Sequence, residues 1–333
     1  MKKSRVKTLM LLAAAVIFCA DCIRLENDPP VAVSYSSITG GVRFAVEELR
    51  KEFGEDSIPS IDSLIVQIDS LSSRFRDGLG DTTILHHMIT HIYSNWGICF
   101  DPNRNDLFGM LPHTTVLEKK GSCMGVSMLF LMIGEKTGLP LFGVVIPGHF
   151  FVRYQSAVQR RNIEPNLKGF EHPDEYYRHH YAIDDSSGYA LRNLTVNQSL
   201  GIFFFNLANY CSQSGRNELA ESFFRRSTSL VPLYAQAWGN AAIHYARNKQ
   251  PRKARNAFEK ALNCNPELVN LRYNYATFEL RHKQYRKAIQ LYSDEIEAHR
   301  VTPELLDGLS RAYKGIGKND SADIILKTNQ KRQ

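Results

Sequence analysis

Cys123, His149 and Glu164 follow one another in the chain with the types and order of a nucleophile, a base and a carboxylate that orients the base. A thiol attacks as its thiolate, which forms near neutrality where a helix N-terminus and an imidazolium lower the thiol pKa. The carboxylate holds the imidazole in the orientation and tautomer that this requires. Such a set attacks a carbonyl carbon and forms a thioester or acyl-enzyme. Water then completes amide or peptide hydrolysis, whereas an amine completes transamidation. The backbone N–H of Cys123 at the helix start is a natural oxyanion donor, with Asn95 or Trp96 as a candidate second donor. The competing reading of Cys123 is a buried structural thiol, since free cysteine is among the most buried residue types.

The elements that must position these groups are written into Val116–Tyr154, VLEKKGSCMGVSMLFLMIGEKTGLPLFGVVIPGHFFVRY. Ser122 is an N-cap candidate, which puts Cys123 in the first turn of an apolar helix. Met124, Met128, Leu129, Met132 and Ile133 form its packing side, and Gly138-Leu139-Pro140 ends it. Leu141 to Ile146 reads as a buried strand, and Phe150 to Tyr154 continues the sheet beyond Pro147-Gly148. Asn162-Ile163-Glu164-Pro165-Asn166 is a further strand end, with its carboxylate before a proline turn. Upstream, helical periodicity starts at about Arg43 and recurs over Ile61–Phe75 and Thr83–Trp96. His87 and His91 are spaced to share one helix face, but with no carboxylate completing a metalloprotease motif they read as helix-surface histidines. Arg153, Tyr154 and Tyr176-Tyr177-Arg178-His179-His180 either line a cleft or belong to a solvated loop.

The quoted segment, followed by NIEPN, resembles the transglutaminase-like superfamily of papain-type fold. It is most similar to the bacterial SirB-type branch, whose members often carry C-terminal tetratricopeptide (TPR) units. The resemblance covers roughly residues 80 to 195, and its most specific parts are the G-x-C helix start, GLPLxGVxxPGHFxVR and NIEPN. It implies an α+β domain with a core helix on an antiparallel sheet, Cys123 as nucleophile, His149 as general base and Glu164 as orienting carboxylate. The wider superfamily usually has Asp at the third place, which leaves Asp184 or Asp185 as the alternative to Glu164. Many members of the branch have lost the cysteine, which implies that the fold also serves as a non-catalytic binding module. This chain keeps it.

From about Gly201 the texture changes to a repeat. Ala220, Ala254, Ala288 and Ala322 are spaced by 34 residues, as are Leu207, Ala241, Tyr275 and Leu309, and Phe224, Phe258, Tyr292 and Leu326. This is the pattern of an all-α TPR solenoid, with units expected at 201–234, 235–268 and 269–302 and a partial unit at 303–330. Arg272 and Glu279 occupy positions that are usually apolar. The remaining expected boundaries are a signal segment over 1–22, a linker over 23–42 and the transglutaminase-like domain over 43–198.

Lys2, Lys3, Arg5 and Lys7 precede an apolar run from Leu9 to Ala20, the layout of a secretory signal. An exported protein of the periplasm or cell envelope is therefore expected, with Cys19 or Cys22 placed for lipidation and membrane attachment. Cys99, Cys123, Cys211 and Cys264 have neither zinc-ligand spacing nor a disulfide framework, so no metal or other cofactor is expected. A net charge of +7 is too small and dispersed to argue nucleic-acid binding. The expected partners are a protein or peptide in the TPR groove and a peptide or amide substrate. Lys and Arg outnumber Asp and Glu about two to one between Arg247 and Arg300, which favours an acidic partner. Two functions thus stand side by side: a cysteine hydrolase or acyltransferase on a TPR scaffold, and a non-catalytic adaptor of the same architecture.

Overall fold

The computed structural model describes residues 33–75, 79–104, 106–181, 183, 188–298 and 301–330. The expected signal segment over 1–22 with Cys19 and Cys22, and the alternative carboxylates Asp184 and Asp185, lie outside the described residues.

Three helices come first: α1 (Ile38–Phe53), α2 (Asp62–Ser73) and α3 (Asp81–Thr90), the last running into a π-helical turn over His91–Asn95. Helix α1 starts five residues earlier than periodicity alone suggested, inside the stretch read as linker. Ser37 caps it by accepting from the Gly40 N–H, and Glu135 accepts from the Ile38 and Thr39 N–H groups at 2.8 and 3.1 Å. A carboxylate against the positive end of a helix stabilises that start from outside the local sequence.

A two-residue strand β1 (Cys99–Phe100) pairs in parallel with β2 (Lys120–Gly121), and α4 (Leu107–Met110) and α5 (Pro112–Glu118) lie between them. Helix α6 (Cys123–Thr137) follows, buried from Met124 through Gly134. It packs on a four-stranded antiparallel sheet of β3 (Leu141–Ile146), β4 (His149–Gln155), β5 (Arg160–Glu164) and β6 (Phe170–Glu171), in that spatial order. Alternation divides the sheet into two faces. Val145, Phe150, Val152, Tyr154 and Ile163 join the main core with α6, whereas Val144, Ile146 and Phe151 pack with Tyr177 and Leu191 on the other side. Tyr177 belongs to α7 (Asp174–His180), which covers that second face.

Eight further helices form four consecutive pairs. They are α8 (Val196–Gln213) and α9 (Asn217–Leu230), α10 (Ala235–Arg247) and α11 (Pro251–Cys264), α12 (Leu271–Arg281) and α13 (Tyr285–Ala298), and α14 (Pro303–Gly315) and α15 (Asn319–Gln330). The 34-residue spacing puts Ala220, Ala254, Ala288 and Ala322 on the second helix of each pair, all fully buried. Glu279 is buried as well, and Arg255 of the preceding pair grips it with two hydrogen bonds of 2.6 and 2.8 Å. A charge at an apolar register position is kept there by a partner from the neighbouring pair.

Candidate active site

The first turn of α6 is seated from behind. The Gly109 carbonyl of α4 accepts from the Ser122 N–H at 2.9 Å and from the Ser122 hydroxyl at 3.0 Å. Ser122 Oγ in turn caps the helix by accepting from the Gly125 N–H. Gly125 has to be a glycine for space: a Cβ there would stand 2.3 Å from the Gly109 carbonyl oxygen and 2.5 Å from Thr115 Oγ1. The backbone of Gly121-Ser122-Cys123-Met124-Gly125 thus rests directly on α4 and α5, with the half-buried Cys123 as the first helical residue. Its N–H belongs to the first turn, where no intrahelical acceptor exists, and is available to a negative group.

His149 is placed by a two-residue turn. Ile146 and His149 are the last register pair of the β3–β4 hairpin, joined through Pro147 and Gly148. Gly148 has φ 72°, so proline precedes a left-handed glycine as a type II turn requires. His149 then opens β4 with its side chain on the α7 face. One step beyond the Val152–Ile163 pair, Glu164 faces Phe151, and His149 is two residues from Phe151 on the same face. The diagonal closes with His149 Nε2 and Glu164 Oε2 at 2.8 Å, both side chains almost wholly buried.

Cys123 is the imidazole's other neighbour, and it favours the charged ring. Because Nε2 is engaged with Glu164, the nitrogen left for the thiol is Nδ1. Burial pushes the imidazole pKa down, but the Cys123 hydrogen bond, the Glu164 hydrogen bond and the charges of both groups outweigh it. The His149 pKa rises to about 9. The structure pairs His149, at a strand start, directly with Glu164, at a strand end, and sets Cys123, at a helix start, as the imidazole's neighbour.

Glu164 has two further donors. The Asn166 N–H donates to Oε1 at 3.0 Å, within the turn that Pro165 opens, and the Tyr177 hydroxyl donates to Oε2 at 3.1 Å. Tyr177 is fully buried, with its ring stacked on Phe151 at 4.3 Å and 7°. Tyr181 lies parallel to the His149 ring at 6.0 Å. Helix α7 is fastened to the sheet through Arg153, which donates to Asp174 Oδ1 and Asn162 Oδ1 at 2.6 Å each and to the Leu191 carbonyl at 2.9 Å.

Two sequence readings change here. Tyr177 belongs to a docked helix and not to a solvated loop, because its ring completes the apolar face around Phe151. Arg153 is 1% exposed and neither lines a cleft nor reaches solvent, because Asp174 and Asn162 satisfy it inside. The available signal for Arg153 was its place in an otherwise apolar strand: an arginine there must have a buried partner. On α3 and the turn after it, His87 stacks on Phe75 and His91 meets Trp96 edge-on. No three potential ligands converge on a metal position among the described residues.

Residues 60–175 match the family model of the transglutaminase-like superfamily, and residues 257–290 match that of a tetratricopeptide repeat. No curated protein matches the chain. Among solved structures, the crystal structure of MamA protein is similar over 41% of this chain and 78% of its own, at 16% identity and TM-score 0.38. Pseudomonas aeruginosa pilF is similar over 41% of this chain and 63% of its own, at 18% identity and TM-score 0.35. A structure of menin with the binding site for Mixed Lineage Leukemia protein covers 86% of this chain and 84% of its own, at 13% identity and TM-score 0.29. At such TM-scores these likenesses decide nothing about function. The family matches do identify the architecture: the chain carries a transglutaminase-like superfamily domain over residues 60–175, followed by a helical region that contains a tetratricopeptide repeat.

Proposed function

We propose that this is an exported cysteine-dependent acyl-transfer protein of the SirB-type branch, with Cys123 as nucleophile, His149 as general base and acid, and Glu164 as the carboxylate that orients His149. The observation that carries the reading is the buried His149–Glu164 pair at 2.8 Å, with the Cys123 thiol at a helix N-terminus as the imidazole's other neighbour. In the proposed reaction the Cys123 thiolate adds to a peptide or amide carbonyl, and the Cys123 N–H faces the developing oxyanion. The His149 imidazolium gives its proton to the departing amine as the C–N bond breaks, leaving a thioester on Cys123. Imidazole then takes a proton from water, or from an acceptor amine, as that nucleophile displaces the thiolate and releases an acid or a new amide. The helix pairs after residue 195 would hold the protein or peptide partner. The basic, apolar N-terminal pattern supports export, with lipidation at Cys19 or Cys22 as the means of attachment.

A non-catalytic adaptor at the cell envelope is the second reading, and the observation that favours it is the crowding of His149, which is almost wholly buried with the Tyr181 ring parallel to it at 6.0 Å. An activated ester separates the two. Incubation with p-nitrophenyl acetate should leave a hydroxylamine-labile acetyl group on Cys123 in the wild type and not in His149→Ala, as read by peptide mass spectrometry. Equal labelling of both proteins, or none at Cys123, would remove the catalytic reading.

A further inference from the structure

Three hydrogen bonds converge on Glu164, and they are not equivalent. Asn166 takes Oε1, whereas His149 Nε2 and the Tyr177 hydroxyl share Oε2 at 2.8 and 3.1 Å. An oxygen that already accepts from a phenol carries less free negative charge toward a second donor. Its pull on the imidazole proton is weaker than that of a carboxylate held by the histidine alone. This matters because the imidazolium of the proposed reaction must release its proton to a leaving amine, and an acid of too high a pKa does so slowly.

We propose that Tyr177 is a positioning residue that sets the proton affinity of the His149–Glu164 pair, sharing the carboxylate oxygen that faces the imidazole. The construction around Tyr177 is rigid enough for this work. Its ring is held flat against Phe151, and the helix that carries it begins at Asp174, where the buried Arg153 fastens it to the sheet. Arg160 adds a second ion pair to the same carboxylate at 2.6 Å. The ring cannot turn away from Glu164 without losing its stack on Phe151, and the start of α7 cannot shift without breaking the Asp174 ion pairs.

Titratable groups surround this pair, among them His172, which meets the Tyr177 ring edge-on at 6.2 Å. Cys123 comes from α6, Tyr93 from the π-helical turn, with its hydroxyl on the Pro165 carbonyl at 3.2 Å, and Tyr176 and Tyr181 flank Tyr177. Burial raises the pKa values of Tyr93, Tyr177 and Tyr181, and the charge of Glu164 raises them further. These phenols thus stay protonated through the neutral range, and Tyr177 acts as a fixed donor.

The inference rests on the proposed catalytic set but is tested without turnover. The His149 ring resonances of the full chain are titrated by NMR in wild type, Tyr177→Phe and Tyr176→Phe. Tyr177→Phe keeps the ring and its stack and removes only the donated hydrogen bond. The expected result is an upward movement of the His149 midpoint by roughly half a unit or more in Tyr177→Phe, with Tyr176→Phe at the wild-type value. A midpoint that stays or falls in Tyr177→Phe, or that rises equally in Tyr176→Phe, overturns the assignment. Circular dichroism of each variant verifies that the fold is retained, and a Tyr177→Leu variant serves if Tyr177→Phe does not fold. The catalytic reading fails separately, if wild-type His149 titrates at its ordinary value and ignores Cys123→Ser.

Discussion

At the residue scale, the site is governed by a competition between desolvation and pairing. Burial alone would make His149 a weak base, but contact with Cys123 and Glu164 moves its pKa up to about 9 from an ordinary 6.5. The sign of the linked stability follows. A histidine whose folded pKa is raised contributes stability that is complete below about pH 6.5 and lost as pH climbs through 9. Glu164→Gln removes the anion that holds this proton, so the urea midpoint of the variant should fall less between pH 6.5 and 9 than that of the wild type. Parallel curves for the two proteins would contradict the pairing. Much of this site was legible in the chain. A cysteine after Gly-Ser at a helix start, a histidine after Pro-Gly and a glutamate before proline each announce a backbone end, where side chains can converge. Tyr177 was not legible, because its partners Phe151 and Glu164 lie in strands 26 and 13 residues upstream and nothing near Tyr177 records them.

At the element scale, the seat under α6 matters as much as the helix. Gly125→Ala would drive a methyl group into the Gly109 carbonyl and Thr115. It should cost about 2 kcal/mol in urea-melt stability and displace the Cys123 turn, despite alanine's better helix propensity. Unchanged stability in that variant would mean that the helix start is not held by this contact. Among the later helices, Arg255→Ala strands the buried carboxylate of Glu279. A loss of ~3 kcal/mol is expected, and most of it should be recovered in Arg255→Ala/Glu279→Leu. No recovery in the double variant would show that the pair is not what holds that position. The helices and strands themselves were readable from period and punctuation. The early start of α1 has a local signal in its cap Ser37, but the carboxylate that also holds it, Glu135, is 97 residues away and no periodicity records it.

At the scale of the whole molecule, the first domain and the helix pairs share one core. Buried residues from Ile38 through Ala312 form a single cluster. Tyr35 links the two parts: its ring meets Phe44 of α1 and Phe204 of α8, its N–H donates to Asn197, and its hydroxyl accepts from Arg226. The chain has two tryptophans, Trp96 in the first domain and Trp238 in the second helix pair, and both pack against that core. The single-tryptophan variants Trp96→Phe and Trp238→Phe should therefore report the same urea midpoint by fluorescence. Separate midpoints would mean that the two parts unfold independently. The 34-residue spacing told of the helix pairs but not of this shared core, because the junction is made by residues that no repeat or motif marks.

A catalytic Cys123 reacts as a thiolate paired with the His149 imidazolium. The most direct test of that pairing is the pH dependence of Cys123 alkylation by iodoacetamide, in wild type and His149→Ala, on a background with Cys99, Cys211 and Cys264 changed to serine. Rapid alkylation of the wild-type thiol that persists into mildly acidic solution, and the loss of that low-pH reactivity in His149→Ala, is the expected result. A thiol that is alkylated only in alkaline solution, or not at all, and is indifferent to His149 would overturn the pairing.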